Sequence, residues 1–166
     1  MRLEPGAKPM ILPFTLLLLC GLLIAGFLTQ THRGQLSKQW IEKYGFAPHD
    51  LWTGQLERLF LSAFLTDRAS SFFQAVILSL VMAGATEIFG GTWRAALTFW
   101  GIHFATLLLT SLALLPFHHL KIPFAESLSH ARDVGPSAGY FGCLGALVFS
   151  SSWRWPASGI LIVALT

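Results

Sequence analysis

The stretch from Trp93 to Leu115, WRAALTFWGIHFATLLLTSLALL, decides the fold of this chain. It carries one charged side chain, Arg94, and is longer than the roughly 20 apolar residues with which a helix crosses the hydrocarbon core of a bilayer. Backbone groups in lipid must hydrogen bond within the chain, which favours a helix. We therefore predict a membrane-spanning helix over 93–115, ended by Pro116, which has no N–H to continue it.

Further apolar runs flank this stretch on both sides. Hydrophobic residues make up 54% of the 166 residues and charged residues only 11%, against about 25% charged in an ordinary soluble domain. We predict an all-α polytopic membrane helix bundle with four spans and the start of a fifth. The predicted segments are a polar N-terminal segment (1–9), a first transmembrane helix (10–29), a long amphipathic interfacial loop (30–70), and a core (71–166) with spans at about 71–89, 93–115, 136–152 and, incomplete, 156–166.

Apolar runs lie near both ends of the chain. The first has a competing interpretation as a signal peptide, because Arg2 and Lys8 precede it. We favour a retained anchor, since the run is long and no small-residue cleavage site follows it. The last run, from Pro156 to Thr166, is about half the length of a span, so we expect this sequence to be a fragment or a truncated gene product.

The amphipathic segment 30–70 contains Trp40, Tyr44 and Trp52. Such aromatic side chains favour the interface between membrane and water. We therefore predict short helices that lie along the bilayer surface.

Basic residues are scattered between the apolar runs, with a net charge of +3 and a pI of about 9.2. This pattern predicts anionic lipid as a partner and no nucleic acid. With a cytoplasmic N-terminus most of the cations would lie outside, the reverse of the usual positive-inside distribution. Cys20 and Cys143 lie inside apolar runs without the spacing of a metal site, so we predict two small core residues and no metal.

A cluster of small residues opens the fourth apolar run, GPSAGYFGCLGA over 135–146. The spacing of Gly139, Gly142 and Gly145 lets a neighbouring helix approach closely, and Ser137 could be one more small packing residue. The alternative is a nucleophile at a helix N-terminus, where free backbone N–H groups stabilise an oxyanion. A Gly-x-Ser-x-Gly string also marks the nucleophile elbow of soluble hydrolases, but no preceding strand is evident here.

Residues 135–146 resemble the start of the fourth span in the rhomboid family of intramembrane serine proteases. Two upstream stretches, RLFLSAFL (58–65) and GATEIFG (84–90), are similar to the entry and exit of that family's second span. The resemblance covers about residues 50–155 in the family's order.

The resemblance implies a six-helix core with a Ser-His dyad below the membrane surface. Ser137 would be the nucleophile that cleaves transmembrane segments of substrate proteins, and Gly135 and Gln74 would support the oxyanion. The base would be a histidine on a sixth span, beyond Thr166. No cofactor is implied, and the expected location is a cell membrane, as a multi-pass protein.

Several positions depart from the family pattern, and they leave a second function open. Where the family carries a histidine on its second span, this chain has Ser70-Ser71, and Ala138 replaces the usual glycine after the serine. Trp52 and Arg58 are displaced counterparts of a first-loop Trp-Arg pair. The alternative is a catalytically inactive rhomboid-like protein that binds transmembrane helices of clients. A transporter fragment is a distant third, since no span shows paired carboxylates.

The remaining ionisable residues have structural interpretations. We predict that His103 packs or hydrogen bonds within its helix bundle, although an ionisable residue inside a span is also a functional candidate. We expect Glu87 to brace a helix end. A local triad of His130, Asp133 and Ser137 is conceivable, but residues so close in sequence rarely point at one atom.

Overall fold

A computed structural model describes residues 11–150, and the predicted segment 1–9 and the incomplete run 156–166 lie outside them. Within 11–150 all regular structure is helical, which confirms the all-α prediction for this part of the chain. The helices are α1 (Pro13–Leu28), α2 (Lys38–Tyr44), α3 (Pro48–Trp52), α4 (Glu57–Leu61), α5 (Ala69–Gly90), α6 (Thr92–His119), α7 (Pro123–His130) and α8 (Ser137–Ser150).

Two of these helices are long and apolar enough to cross a bilayer, the 22-residue α5 and the 28-residue α6. The other two apolar helices are shorter, 16 residues in α1 and 14 described residues in α8. On all four apolar helices many large apolar side chains face outward, including Leu17, Phe89, Leu109 and Phe149. Helices that are apolar on their outer faces suit a lipid environment better than water.

A glycine reverses the chain between α5 and α6. Gly91 has φ +83°, a left-handed backbone that glycine adopts at no steric cost. Its N–H donates to the Glu87 carbonyl at 2.8 Å and closes the end of α5. A π-helical turn at Ser79–Ala83 interrupts α5 in its middle.

The prediction that Pro116 ends the long helix is wrong, because α6 continues to His119. Proline removes one backbone hydrogen bond, but only one further turn follows it, and the Leu120 N–H closes that turn on the Pro116 carbonyl at 3.1 Å. The segment 117–134, between two predicted spans, contains α7, which begins at Pro123, a residue well suited to a first helical position.

Contacts at the helix ends show that the four apolar helices alternate in direction. Glu87, near the end of α5, contacts Phe14 and Thr15 at the start of α1, whereas Phe72, near the start of α5, packs on Gly26 at the end of α1. Ser71 at the start of α5 lines a cavity with Ser137 at the start of α8, and the Thr86 hydroxyl near the end of α5 donates to the Cys143 carbonyl at 3.2 Å. The two helices therefore run parallel. Both long connections, 29–68 and 120–136, therefore lie at the same end of the bundle.

Glu87 braces a helix end, as the sequence predicted. Its carboxylate accepts hydrogen bonds from the Phe14 N–H at 3.0 Å, the Thr15 N–H at 2.8 Å and the Thr15 and Thr92 hydroxyls at 2.7 Å. Two of these donors are first-turn N–H groups of α1, which have no acceptor within their own helix. The side chain thus joins the beginnings of α1 and α6 to the end of α5.

The main core lies where these helices meet. Its members are Phe14, Leu18, Leu22, Ala83, Ala95, Phe99, Tyr140 and Cys143. A second, smaller core of Phe46, Leu59 and Leu107 joins the first connection (29–68) to the C-terminal half of α6. Tyr140 and Cys143 of the main core pack α8 against α5 and α6.

Candidate active site

A cavity of about 190 Å³ lies between the start of α5 and the start of α8. It brings together three residues singled out from the sequence, Gln74, Gly135 and Ser137. Ser137 and Gln74 are exposed in the described part of the chain, and Tyr140 closes the cavity from below as a buried side chain. The full lining is Thr66, Asp67, Ser71, Gln74, Ala75, Val134, Gly135, Pro136, Ser137 and Tyr140.

Ser137 is the first residue of α8, and Pro136 precedes the helix rather than occupying its first turn as predicted. The Tyr140 N–H closes the first helical bond on the Pro136 carbonyl at 3.1 Å. The N–H groups of residues 137–139 therefore have no acceptor inside the helix. Free N–H groups beside a serine hydroxyl are the donors that an oxyanion needs.

Gly135 shapes the turn that leads into α8. Its φ of +131° is a backbone conformation that residues with a side chain rarely adopt. Its N–H donates to the Ser62 carbonyl at 2.9 Å, which ties the turn to the end of the first connection. The glycine is thus required by the path of the chain into Ser137.

Two of the three predicted packing glycines lie where a neighbouring helix approaches closely. A Cβ on Gly139 would lie 2.6 Å from the Phe99 ring, and one on Gly142 would lie 2.6 Å from Ile102 Cβ. An added Cβ at Gly145 meets nothing within 4 Å in the described residues, so the described helices give it no packing role. The small-residue face of α8 therefore seats on α6 through residues 139 and 142.

Asp67 is an acidic member of the cavity that the sequence did not single out. A hydrogen bond from the Ser71 hydroxyl lowers the pKa of the Asp67 carboxyl, burial acts in the opposite direction, and the neighbouring Arg68 lowers the pKa further. The Arg68 Nε lies 2.7 Å from the carboxylate. Asp67 is therefore ionised at neutral pH, and it holds Ser71 at the mouth of the cavity.

Ser137 lies level with the middle of α6. Gly139, two residues later, packs on Phe99, and Asp133, four residues earlier, lines a neighbouring cavity with Thr106 and Thr110. Half of the 28-residue α6 lies beyond this level, which is about 20 Å at 1.5 Å per residue. The serine is thus placed far below the end of the longest apolar helix.

The structure does not bring the histidines to Ser137. His103 is buried, and its Nε2 lies 3.1 Å from the Leu59 carbonyl, which confirms its hydrogen-bonding role. His130 packs on His49 with ring centroids 4.6 Å apart, and the Asp133 carboxylate accepts from the Val134 N–H at 2.9 Å. No histidine lines the cavity within residues 11–150, so the local triad of His130, Asp133 and Ser137 does not form.

A buried ion cluster near the cavity escaped the sequence analysis. Asp50 is 1% exposed and lies between two arginines, with Arg58 Nη1 at 3.2 Å and Arg132 Nη1 at 2.7 Å from its carboxylate. The two arginines stand 8 and 82 residues away from Asp50 along the chain. No local motif could reveal the longer pairing.

In the part of the chain that the structure describes, no group of three or more histidine, cysteine or acidic side chains is arranged to hold a metal ion. Comparison with family models, with curated proteins and with solved structures gives no match for the chain.

Proposed function

We propose that this protein is a rhomboid-like intramembrane serine endopeptidase, with Ser137 as its nucleophile. The observation that carries the proposal is the single cavity that joins Ser137, Gly135 and Gln74 to the free N–H groups at the start of α8. A hydroxyl beside preorganised donors is the arrangement that acyl transfer requires.

The chemistry follows from this geometry. The Ser137 hydroxyl attacks the scissile carbonyl of a substrate's transmembrane segment, and the N–H groups at the start of α8, with the Gln74 amide, stabilise the oxyanion. The family resemblance supplies the base from a histidine of a later helix, outside the described residues. That base takes the serine proton and returns it to the leaving amine. No cofactor is needed for these steps.

The depth of Ser137 supports a multi-pass protein that cleaves within a cell membrane. In this proposal α1, α5, α6 and α8 cross the bilayer in alternating directions, so that both long connections lie on one side of it. With the ends of the long α6 near the two membrane surfaces, Ser137 would lie well inside the hydrocarbon region. A transmembrane segment of a substrate protein would reach it from the side.

This topology predicts that His130 and Arg94 lie on opposite sides of the membrane. Single cysteines placed at these positions, in a background with Cys20 replaced by alanine, should react with a membrane-impermeant maleimide from opposite faces of sealed vesicles. Labelling of both from the same face would contradict the four-span arrangement.

Ser137→Ala in the full chain is expected to abolish cleavage of a membrane-embedded reporter substrate, because the variant has no attacking oxygen. Cleavage is read as the appearance of the two product fragments in membranes that co-express enzyme and reporter. The matched control is Ser150→Ala, at an exposed position of the same helix, which should cleave like the parent. Undiminished turnover by Ser137→Ala would remove the assignment of the nucleophile.

A second function is favoured by a separate observation, the residues at the start of α5. Ser70-Ser71 stand where the family has a histidine, and no imidazole enters the cavity within residues 11–150. In this alternative the protein binds transmembrane helices of client proteins without cleaving them. Co-purification of an uncleaved client by both the parent and Ser137→Ala, with no product from either, would favour this function.

A further inference from the structure

The segment that leads into Ser137 is held by an ion pair between Arg132 and the buried Asp50 of the first connection. One nitrogen, Arg132 Nη1, donates both to the Asp50 carboxylate at 2.7 Å and to the Gly45 carbonyl at 2.8 Å. Asp50 is almost fully buried, and its carboxylate also accepts from the Ala47 N–H at 2.8 Å. Arg132 therefore binds two residues of the first connection at the same time, Gly45 and Asp50.

Backbone hydrogen bonds next to this contact join the same two segments at a position closer to Ser137. Phe46 and Asp133 exchange two hydrogen bonds, at 3.1 Å and 2.7 Å. A single bridge of this kind, without further strand pairing on either side, is marginal by itself. Arg132 lies directly beside it, so the charged hydrogen bonds hold the register of the bridge.

Gly45 has no room for a side chain because the Ile41 carbonyl lies too close, and residues 132 and 134 also approach it tightly. A Cβ there would lie 3.3 Å from Val134 Cγ1, 3.4 Å from Arg132 Cβ and 2.6 Å from the Ile41 carbonyl oxygen. Gly135 then bonds to the Ser62 carbonyl, and α8 begins two residues later. The chain from 132 to 137 thus has little freedom once Arg132 is paired.

We propose that Arg132 is a positioning residue, which fixes the entry segment 132–135 through Asp50 and Gly45 and thereby places residue 137 in the cavity. The effect on catalysis rests on the proposed function, whereas the effect on the placement of residue 137 does not. Arg58 shares the same carboxylate but belongs to the first connection itself, and so contributes stability without holding the entry segment.

The experiment measures placement and reactivity separately. A nitroxide spin label on Ser137→Cys, in a Cys20→Ala background because Cys20 is the exposed cysteine, reports the mobility of residue 137. Arg132→Met should raise this mobility, Arg132→Lys should restore it because an ammonium also reaches both acceptors, and Arg58→Met should leave it unchanged. A label at Ser150, at the far end of α8, should report the same mobility in every variant.

Reactivity is measured with Ser137 intact, as the rate of covalent labelling by a fluorophosphonate probe. Arg132→Met should label about tenfold more slowly than the parent, and Arg132→Lys should recover most of the rate, because small displacements of a reacting group cost rate steeply. If Arg132→Met does not fold, Asp50→Asn provides the test, with intermediate mobility and rate expected.

Three outcomes separate the claims. Parent-like mobility at residue 137 in Arg132→Met, or in Asp50→Asn if that variant is used, would overturn the positioning role. Equal mobility changes in Arg132→Met and Arg58→Met would also overturn it, because both would then act through general loosening. An unlabelled parent with the expected mobility pattern would overturn the proposed protease activity and support the positioning role of Arg132.

Discussion

Glu87→Ala is expected to lower the free energy of unfolding by about 4 kcal/mol, because the variant leaves without an acceptor the buried N–H groups that share this carboxylate in the parent. The Phe14 and Thr15 N–H groups lie in the first turn of α1 and have no acceptor in their own helix. The carboxylate also orients Thr92 at the start of α6, so three helices lose a common contact. The measurement is reversible unfolding in detergent micelles, followed by the loss of helical circular dichroism.

Two matched variants give this prediction its controls. Glu57→Ala removes an exposed carboxylate from α4 and should change stability little. Glu87→Gln keeps one acceptor oxygen but turns an amide NH₂ toward donors, so its loss should lie between those of the other two. Parent-like stability of Glu87→Ala would show that the brace is unimportant.

Gly142→Ala is expected to destabilise the fold by about 2 kcal/mol, the usual range for overpacking a tight contact. The new methyl group would lie 2.6 Å from Ile102 Cβ and 2.8 Å from Ile102 Cγ1 and Cγ2, so α6 and α8 would have to separate. The branched Ile102 side chain cannot rotate its Cβ away, which is why one methyl group has a large effect. The same unfolding measurement applies.

Glycine-to-alanine changes in open positions should have the opposite sign. Gly101 in α6 meets nothing within 4 Å in the described residues, and alanine there should stabilise its helix by up to about 1 kcal/mol. Gly145→Ala should behave like Gly101→Ala if residue 145 has no helix neighbour. Equal changes in the free energy of unfolding for Gly142→Ala and Gly101→Ala would contradict the close packing of α8 on α6.

The parts of the fold that the sequence predicted well are those determined by local chemistry. The apolar runs predicted the helices and Glu87 predicted a brace, because each acts through its own backbone or side-chain properties. Pro116 was misjudged because the helix continues for one turn beyond it, despite the backbone hydrogen bond that the proline removes. The helix α7 was missed because it is only eight residues long and its sequence is largely polar.

In the candidate site, too, some residues were predicted from the sequence and others were not. Ser137, Gly135 and Gln74 were predicted from a family resemblance, and they line one cavity. Asp67 was missed, and Ser71 was noted only as a departure from the family pattern, although Ser71 and Gln74 stand three residues apart and so share a face of α5. The pairing of Asp50 with Arg132 could not be predicted, since only the folded path of the chain brings residues 82 apart into contact.

Covalent capture of the nucleophile tests the central proposal most directly. The full chain in native membranes is incubated with a fluorophosphonate probe, and the modified peptide is identified by mass spectrometry. We expect the probe on Ser137 in the folded protein, and none after heat denaturation or in Ser137→Ala. A folded protein that carries no adduct, or carries it on another residue, would contradict the assignment of Ser137 as the nucleophile of an intramembrane protease.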